Sequence, residues 1–282
     1  MGVAPPFTLA SVSPREIRRI ILAQSKRANV GHIGCCLSIV EILAAIYGHV
    51  LKAASSRDPD RDRFVLSKGH AALALYATLA AKGWISYADL DQFCADGSLI
   101  AVHPEHTVPG IDFSTGSLGQ GISMAVGAAL GARQQHSSRH VYCLISDGEC
   151  NEGSTWEAAM FAAQHRLSNL TVVLDWNRQQ AFGLTRDVID TSNMAERWRA
   201  FGWQVDEVDG HSVPDLVQAL GTSCHAPHLI LARTVFGRGV SFMEQGVPLT
   251  QKHLPVHPIN WHYLPMSDHE FQIAMRELEA AS

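Results

Sequence analysis

Two apolar runs, each closed by an oxygen-bearing side chain, constrain the fold of this chain more than any other feature. The first is Val141-Tyr142-Cys143-Leu144-Ile145, which stops at Ser146-Asp147-Gly148; the second is Leu170-Thr171-Val172-Val173-Leu174, which stops at Asp175-Trp176-Asn177. Between them lies an amphipathic stretch, Trp156 to Leu167, and Ser154-x-x-Glu157 before it has the form of a capping box. A strand-helix-strand unit takes about thirty residues and returns its second strand parallel to the first. Asp147 and Asn177 are 30 positions apart. If the strands are neighbours, roughly 4.8 Å apart, both side chains leave the same carboxyl edge of one sheet, where open α/β sheets bind ligands.

A carboxylate, a side-chain amide carbonyl and a nearby backbone carbonyl are hard oxygen donors. So few of them suit a Mg²⁺ that completes its shell with water and phosphate oxygens. The expectation is therefore a metal-bound diphosphate. Taken alone, Asp-Gly and Trp-Asn serve equally well as turn residues that close strands. A second segment tilts the reading toward a ligand: Thr115-Gly116-Ser117-Leu118-Gly119-Gln120-Gly121 precedes the small, apolar stretch Ile122 to Ala132. Glycines before a helix let backbone approach a ligand and leave amide groups free.

Taken in order, a larger set of motifs resembles the amino-terminal half of transketolase. The set is Gly31-His32-Ile33-Gly34, Ser67-Lys68-Gly69-His70, Val102-His103-Pro104-Glu105, Ser114 to Gly121, Asp147-Gly148-Glu149 with Asn177, and Gly237-Arg238-Gly239-Val240-Ser241-Phe242. The resemblance runs from about residue 13 to about residue 278, nearly the whole chain. It implies a thiamine diphosphate-binding α/β fold, a mostly parallel sheet flanked by helices, with residues 1–282 forming one diphosphate-binding domain. It implies that Asp147, Asn177 and the main-chain carbonyl of Gln179 ligate Mg²⁺ (or Ca²⁺ or Mn²⁺). Gly148 and Glu149 would lie at the diphosphate and Gly116 and Leu118 against the aminopyrimidine. His70 and His262 would contact the diphosphate or the substrate hydroxyl beside it. His32 and His103 would face the substrate, where a side chain titrating near neutrality can polarise a carbonyl or move protons. His103-Pro104-Glu105-His106 also has metal-like spacing, but no cysteine or further histidine cluster accompanies it in the sequence.

The departures from the pattern matter too. Ser146 stands where a glycine usually precedes the metal aspartate, Ala181 and Phe182 replace what is commonly an isoleucine and an aspartate, and Tyr263 follows His262 where glycine is usual. In the family, a glutamate on a separate pyrimidine-binding domain activates the cofactor, and no carboxylate of this sequence matches it. The expectation is a split enzyme: this chain is the diphosphate-binding subunit, and a partner chain in a two-plus-two assembly supplies the pyrimidine-binding and carboxyl-terminal domains. Glu152 and Glu157 resemble acidic residues near that interface; they also suit the amino end of a helix. The implied reaction moves a two-carbon ketol unit from a ketose, or its phosphate, to an aldose or aldehyde. Alternatives are a deoxyxylulose phosphate synthase-like carboligase in a specialised pathway and a non-catalytic scaffold or regulatory subunit.

Composition narrows the rest. The chain has 282 residues, 46% of them hydrophobic, enough for one large α/β core. Its net charge of −5 offers no basic stripe for nucleic acid, and no apolar stretch reads as long and uninterrupted enough for a membrane. Scattered cysteines, two adjacent as Cys35-Cys36, make no disulfide framework, so a reducing cytoplasm is expected. Elsewhere the pattern predicts helices over Ile17–Ala28, Ser38–Leu51, Ala71–Lys82, a short one capped by Ser86, Met194–Phe201, Pro214–Leu220 and one starting at Ser267. It predicts strands over Trp203–Val208 and His228–Thr234. Lys52–Arg63 reads as an exposed turn, Arg178–Asp190 as a loop over the cofactor, and Gln245–Pro258 as a loop near the site.

Overall fold

The computed structural model describes residues 12–244 and 260–280; the expected loop Gln245–Pro258 lies outside them. Five strands form one parallel sheet: β1 (Arg63–Leu66), β2 (Val141–Ser146), β3 (Leu170–Trp176), β6 (Gln204–Asp209) and β7 (His228–Arg233), in the order β1-β2-β3-β7-β6. A two-stranded hairpin, β4 (Gln179–Gln180) with β5 (Gly183–Leu184), follows β3. The helices are α1 (Pro14–Ala28), α2 (Ile33–Leu37), α3 (Val40–Ala45), α4 (Ala72–Ala81), α5 (Tyr87–Leu90), α6 (Gly121–Gln134), α7 (Gly153–Gln164), α8 (Thr185–Val188), α9 (Met194–Ala200), α10 (Val213–Leu220), α11 (Ser241–Glu244), α12 (Asn260–Tyr263) and α13 (Asp268–Ala280).

Every residue of β2 is buried, as a strand covered by helices on both faces requires. Its alternation divides the core. Val141, Cys143 and Ile145 point into one layer with Val172, Leu174 and the inner faces of α6, α7 and α9. Tyr142 and Leu144 point into the other, with Val173 and with residues of α1 to α4, α10 and α13. β2 and β3 are neighbours, in a register that pairs Ser146 with Asp175. Asp147 and Asn177 therefore leave the same sheet edge, as the sequence predicts.

Four local expectations need correction. Lys52–Asp60 is a largely exposed turn, as expected, but the end of that stretch is not: Arg61 and Asp62 are buried and Arg63 opens strand β1. The capping box at Ser154-x-x-Glu157 does not form: α7 starts at Gly153, and Ser154 Oγ donates instead to the Gly119 carbonyl at 3.0 Å. Helical structure begins at Ile33, not Ser38, and ends in a π-helical turn, Ile46–Val50. This stretch, Ile33–Val50, is in fact long and apolar enough to cross a membrane by composition, yet 89% of it is buried inside the protein, which makes it a core helix. By contrast, the capping box Ser86-x-x-Asp89 forms in full, and Ser13 caps α1.

Candidate active site at the carboxyl edge of the sheet

One cavity of about 360 Å³ opens over the ends of β2 and β3. Its lining includes His32, His70, His103, Leu118, Asp147, Gly148, Asn177, Gln179 and His262, so most of the residues singled out in the sequence come together.

Asp147, fully buried, sits at the floor. Its Oδ2 accepts the Arg178 amide at 2.8 Å and the Thr185 hydroxyl at 2.9 Å. Its Oδ1 is buried and has no partner among the described residues. Burial pushes the carboxyl up to about 7, Asp175 adds to the rise, and Thr185 and Lys68 oppose it. A buried carboxylate oxygen left without a donor costs about 1–3 kcal/mol or more, and a cation at that oxygen would remove the cost.

Asn177 is oriented by two hydrogen bonds. Its Nδ2 donates to Asp175 Oδ2 at 2.7 Å, and its Oδ1 accepts the Gln179 amide at 2.9 Å. Asp175 is itself the centre of a closed network. Its Oδ2 also accepts from Lys68 Nζ at 2.5 Å and Ser38 Oγ at 2.8 Å, while Thr234 donates to Oδ1. Burial pushes the Asp175 carboxyl up, but Lys68 and these hydroxyls outweigh it and hold the group below the usual carboxylate range. Both members of the Lys68–Asp175 pair are completely buried. An unpartnered oxygen beside an amide locked by a permanently charged pair fits a hard divalent cation.

Four histidines surround the opening. His32 begins α2 with a left-handed backbone, φ 59°, and its amide donates to the His262 carbonyl at 3.1 Å. The His32 and His70 rings are 5.4 Å apart, and those of His70 and His262 are 6.1 Å apart. Burial lowers the pKa of His70 and takes that of His262 down to about 4. His103 is exposed at the rim, its carbonyl accepting from the Tyr76 hydroxyl at 2.9 Å.

Two expected positions fall elsewhere. The Glu149 carboxylate does not line the cavity. It is fully buried beneath it, where Oε1 accepts from the Gly119 amide at 3.0 Å and from Ser67 Oγ, and Oε2 accepts from the Ser146 amide at 2.9 Å. A carboxylate so engaged braces the site and has no oxygen to offer a ligand. Gly116 stands behind His103, whose Cδ2 would be 3.2 Å from an added Cβ, so it is one layer removed from the cavity wall. The need for glycine is clearest at Gly119, which combines φ 78° with a position where a Cβ would come within 2.7 Å of Glu152 Cβ.

Sequence reasoning missed Lys68 and Asp175 as site residues, although both lie in the motif segments. Each is a charged residue at the end of an apolar strand, which is the signal that marks them. Nor did it anticipate Cys35, Asn151 or Gln180 in the lining. The segment after Asn177 is not an open loop but the β4-β5 hairpin and α8, and it places Phe182, Val188 and Ile189 along one side of the opening.

Residues 11–273 match the family described as transketolase, thiamine diphosphate binding domain. The chain is 42% identical over 234 residues to the 6-deoxy-6-sulfo-D-fructose transketolase subunit SqwG of a Clostridium species, covering 81% of this chain and 85% of that protein. It is 39% identical over 257 residues to one of the subunits of the apulose-4-phosphate transketolase of Phocaeicola vulgatus, covering 87% and 91%. With Homo sapiens transketolase it shares 41% identity over 231 residues, but these span only 37% of that longer protein. The transketolase of Campylobacter jejuni superimposes with a TM-score of 0.86 at 28% identity, covering 97% of this chain and 43% of that one.

Proposed function

Because this chain belongs to the transketolase family as a thiamine diphosphate-binding domain, we propose that it is the amino-terminal subunit of a two-chain transketolase. It would bind Mg²⁺-thiamine diphosphate and transfer a two-carbon ketol unit from a ketose or ketose phosphate to an aldehyde acceptor. Its similarity along most of their length to relatives named as transketolase subunits supports the two-chain reading. The partner would carry the pyrimidine-binding and carboxyl-terminal domains, in a two-plus-two assembly. A reducing cytoplasm suits the six unpaired cysteines.

The observation that carries this reading is the idle, buried Oδ1 of Asp147 beside an Asn177 amide held in place by Asp175. A scaffold has no use for an unpaired carboxylate oxygen at the floor of a cavity. Asp147, Asn177 and the main-chain carbonyl of Gln179 would hold the metal and through it the diphosphate. Leu118 would lie against the aminopyrimidine. Thiamine diphosphate supplies the chemistry by which the bond beside a ketose carbonyl is broken and re-formed. The chain's own part is to orient the sugar and handle its protons. At neutral pH His262 is uncharged, because burial holds it at about 4, so it can accept a hydrogen bond or proton from a substrate hydroxyl without bringing charge into the cavity. His70, lowered for the same reason, would do likewise. His32 and His103, at the wall and the rim, are placed for the substrate's outer hydroxyls and carbonyl.

The test is calorimetric titration of the chain with thiamine diphosphate and Mg²⁺ in the presence of its partner subunit, followed by assay of ketol transfer. Binding that needs Mg²⁺ is expected, and Asp147→Ala should weaken it on the order of 100-fold or more. An intact two-chain complex that takes up no cofactor would refute the proposal.

A further inference from the structure

The cavity also gathers donors of a different chemical kind. One ring nitrogen of His32, Sγ of Cys35 and one ring nitrogen of His262 all lie within 4.8 Å of one another. His32 Nδ1 and His262 Nε2 are both buried without a hydrogen-bond partner among the described residues. Cys35 Sγ donates its proton to the His32 carbonyl at 3.0 Å, so its hydrogen points away from the two ring nitrogens. All three residues line the cavity.

These groups are held where they are. His32 and Cys35 are three residues apart at the start of α2, and the His32 amide donates to the His262 carbonyl at 3.1 Å, tying α12 to α2. Tetrahedral zinc, with Zn–N near 2.0 Å and Zn–S near 2.3 Å, sets its ligand atoms roughly 3.3–3.6 Å apart. From the 4.8 Å limit this asks for a contraction of up to about 1.5 Å. His70, its ring 5.4 Å from that of His32, stands beside the three as a further nitrogen donor.

Imidazole and thiolate select Zn²⁺ and its neighbours, whereas carboxylate and carbonyl oxygens select Mg²⁺. We propose that His32, Cys35 and His262 form a Zn²⁺-class metal site in the cavity wall, separate in chemistry from the oxygen donors at Asp147, and that filling it withdraws both histidines from the substrate. Binding forms a metal–sulfur bond and releases the Cys35 thiol proton to water. The site goes beyond ketol transfer: it makes the pocket responsive to a metal that the reaction does not use.

Co²⁺ is the probe. The full chain, with and without its partner subunit, is titrated with Co²⁺ in excess Mg²⁺ while the ultraviolet thiolate-to-cobalt charge-transfer band and the visible ligand-field bands are recorded. One Co²⁺ per chain with a thiolate band is expected, displaced by Zn²⁺. Cys35→Ser should abolish the band and weaken Zn²⁺ binding on the order of 100-fold, and His262→Ala should do the same. In the complex, Zn²⁺ should inhibit the unsubstituted enzyme, and Cys35→Ser should need on the order of 100-fold more Zn²⁺ for the same fractional inhibition of its own activity. A folded chain that shows no thiolate band, or Cys35→Ser that binds and responds to Zn²⁺ like the original, overturns the site. Thiamine diphosphate binding, titrated separately, tells failure of this site from failure of the proposed function.

Discussion

The two ends of the sheet hold buried carboxylates of opposite character. At the amino end Asp62, immediately before β1, uses both oxygens: Oδ1 accepts from the His140 amide at 2.8 Å and Oδ2 from the Lys52 amide at 2.9 Å. At the carboxyl end Asp147, immediately after β2, uses one oxygen and leaves the other without a partner among the described residues. Both residues are almost completely buried. The difference separates a carboxylate that finishes the fold from one that waits for something outside it. The distinction is visible in hydrogen-bond accounting and not in burial.

The largest effect expected from that contrast concerns the charge beside the open site. Lys68→Met leaves Asp175 charged and buried without its cation, and should cost about 3–5 kcal/mol of stability, read from urea unfolding. A loss near zero would mean that the floor is not held by the pair. Next, Asp62→Ala strips partners from two backbone amides and should cost roughly 2–4 kcal/mol. Asp147→Ala also strips two donors, the Arg178 amide and the Thr185 hydroxyl, but it removes a buried oxygen without a partner among the described residues, so it should cost the metal-free chain less. Equal losses at both positions would erase the contrast.

The third effect is a pH dependence. The Asp147 carboxyl is raised to about 7 in the fold, above its unfolded value near 3.9, so the folded state binds the extra proton. Its contribution is fully present below about pH 4 and is lost as pH rises through about 7. His262 and His140, both lowered to about 4 by burial, act in the opposite direction over much of that range. The stability difference between Asp147→Asn and the original chain isolates the aspartate. Without metal it should grow in favour of the amide by a few kcal/mol between about pH 4 and about pH 7. Saturating Mg²⁺ and cofactor should abolish or reverse it. The smallest effect is at the rim, where Phe182 is 84% exposed. Phe182→Ala should change the isolated chain's stability by less than about 0.5 kcal/mol.

How much of this was legible follows from where the information lies. Strands β2, β3 and β7 are unbroken apolar runs that end in turn residues, so they announce themselves, and with them the common edge that carries Asp147 and Asn177. Strand β1 does not: it has four residues, starts with Arg63 and runs straight into the Ser67-Lys68 motif. The box at Ser154 failed because a tertiary partner, the Gly119 carbonyl, captured the hydroxyl that local pattern assigned to the helix end. Lys68 with Asp175, 107 positions apart, and Cys35 with His262 meet only through the fold. No spacing rule reaches across such separations. The metal-like spacing at His103 and His106 gathers no metal ligands, as expected from the sequence: the His106 ring is engaged with Ser114, and the histidine-cysteine donors that do meet lie elsewhere.

Glu149 joins three pieces of backbone that are distant in sequence: the end of β1 at Ser67, the glycine turn at Gly119, and the end of β2 at Ser146. They are in effect one mechanical part. An engineer who wished to transplant the glycine turn into another scaffold, or exchange it for a relative's, would have to move Ser67 and Glu149 with it.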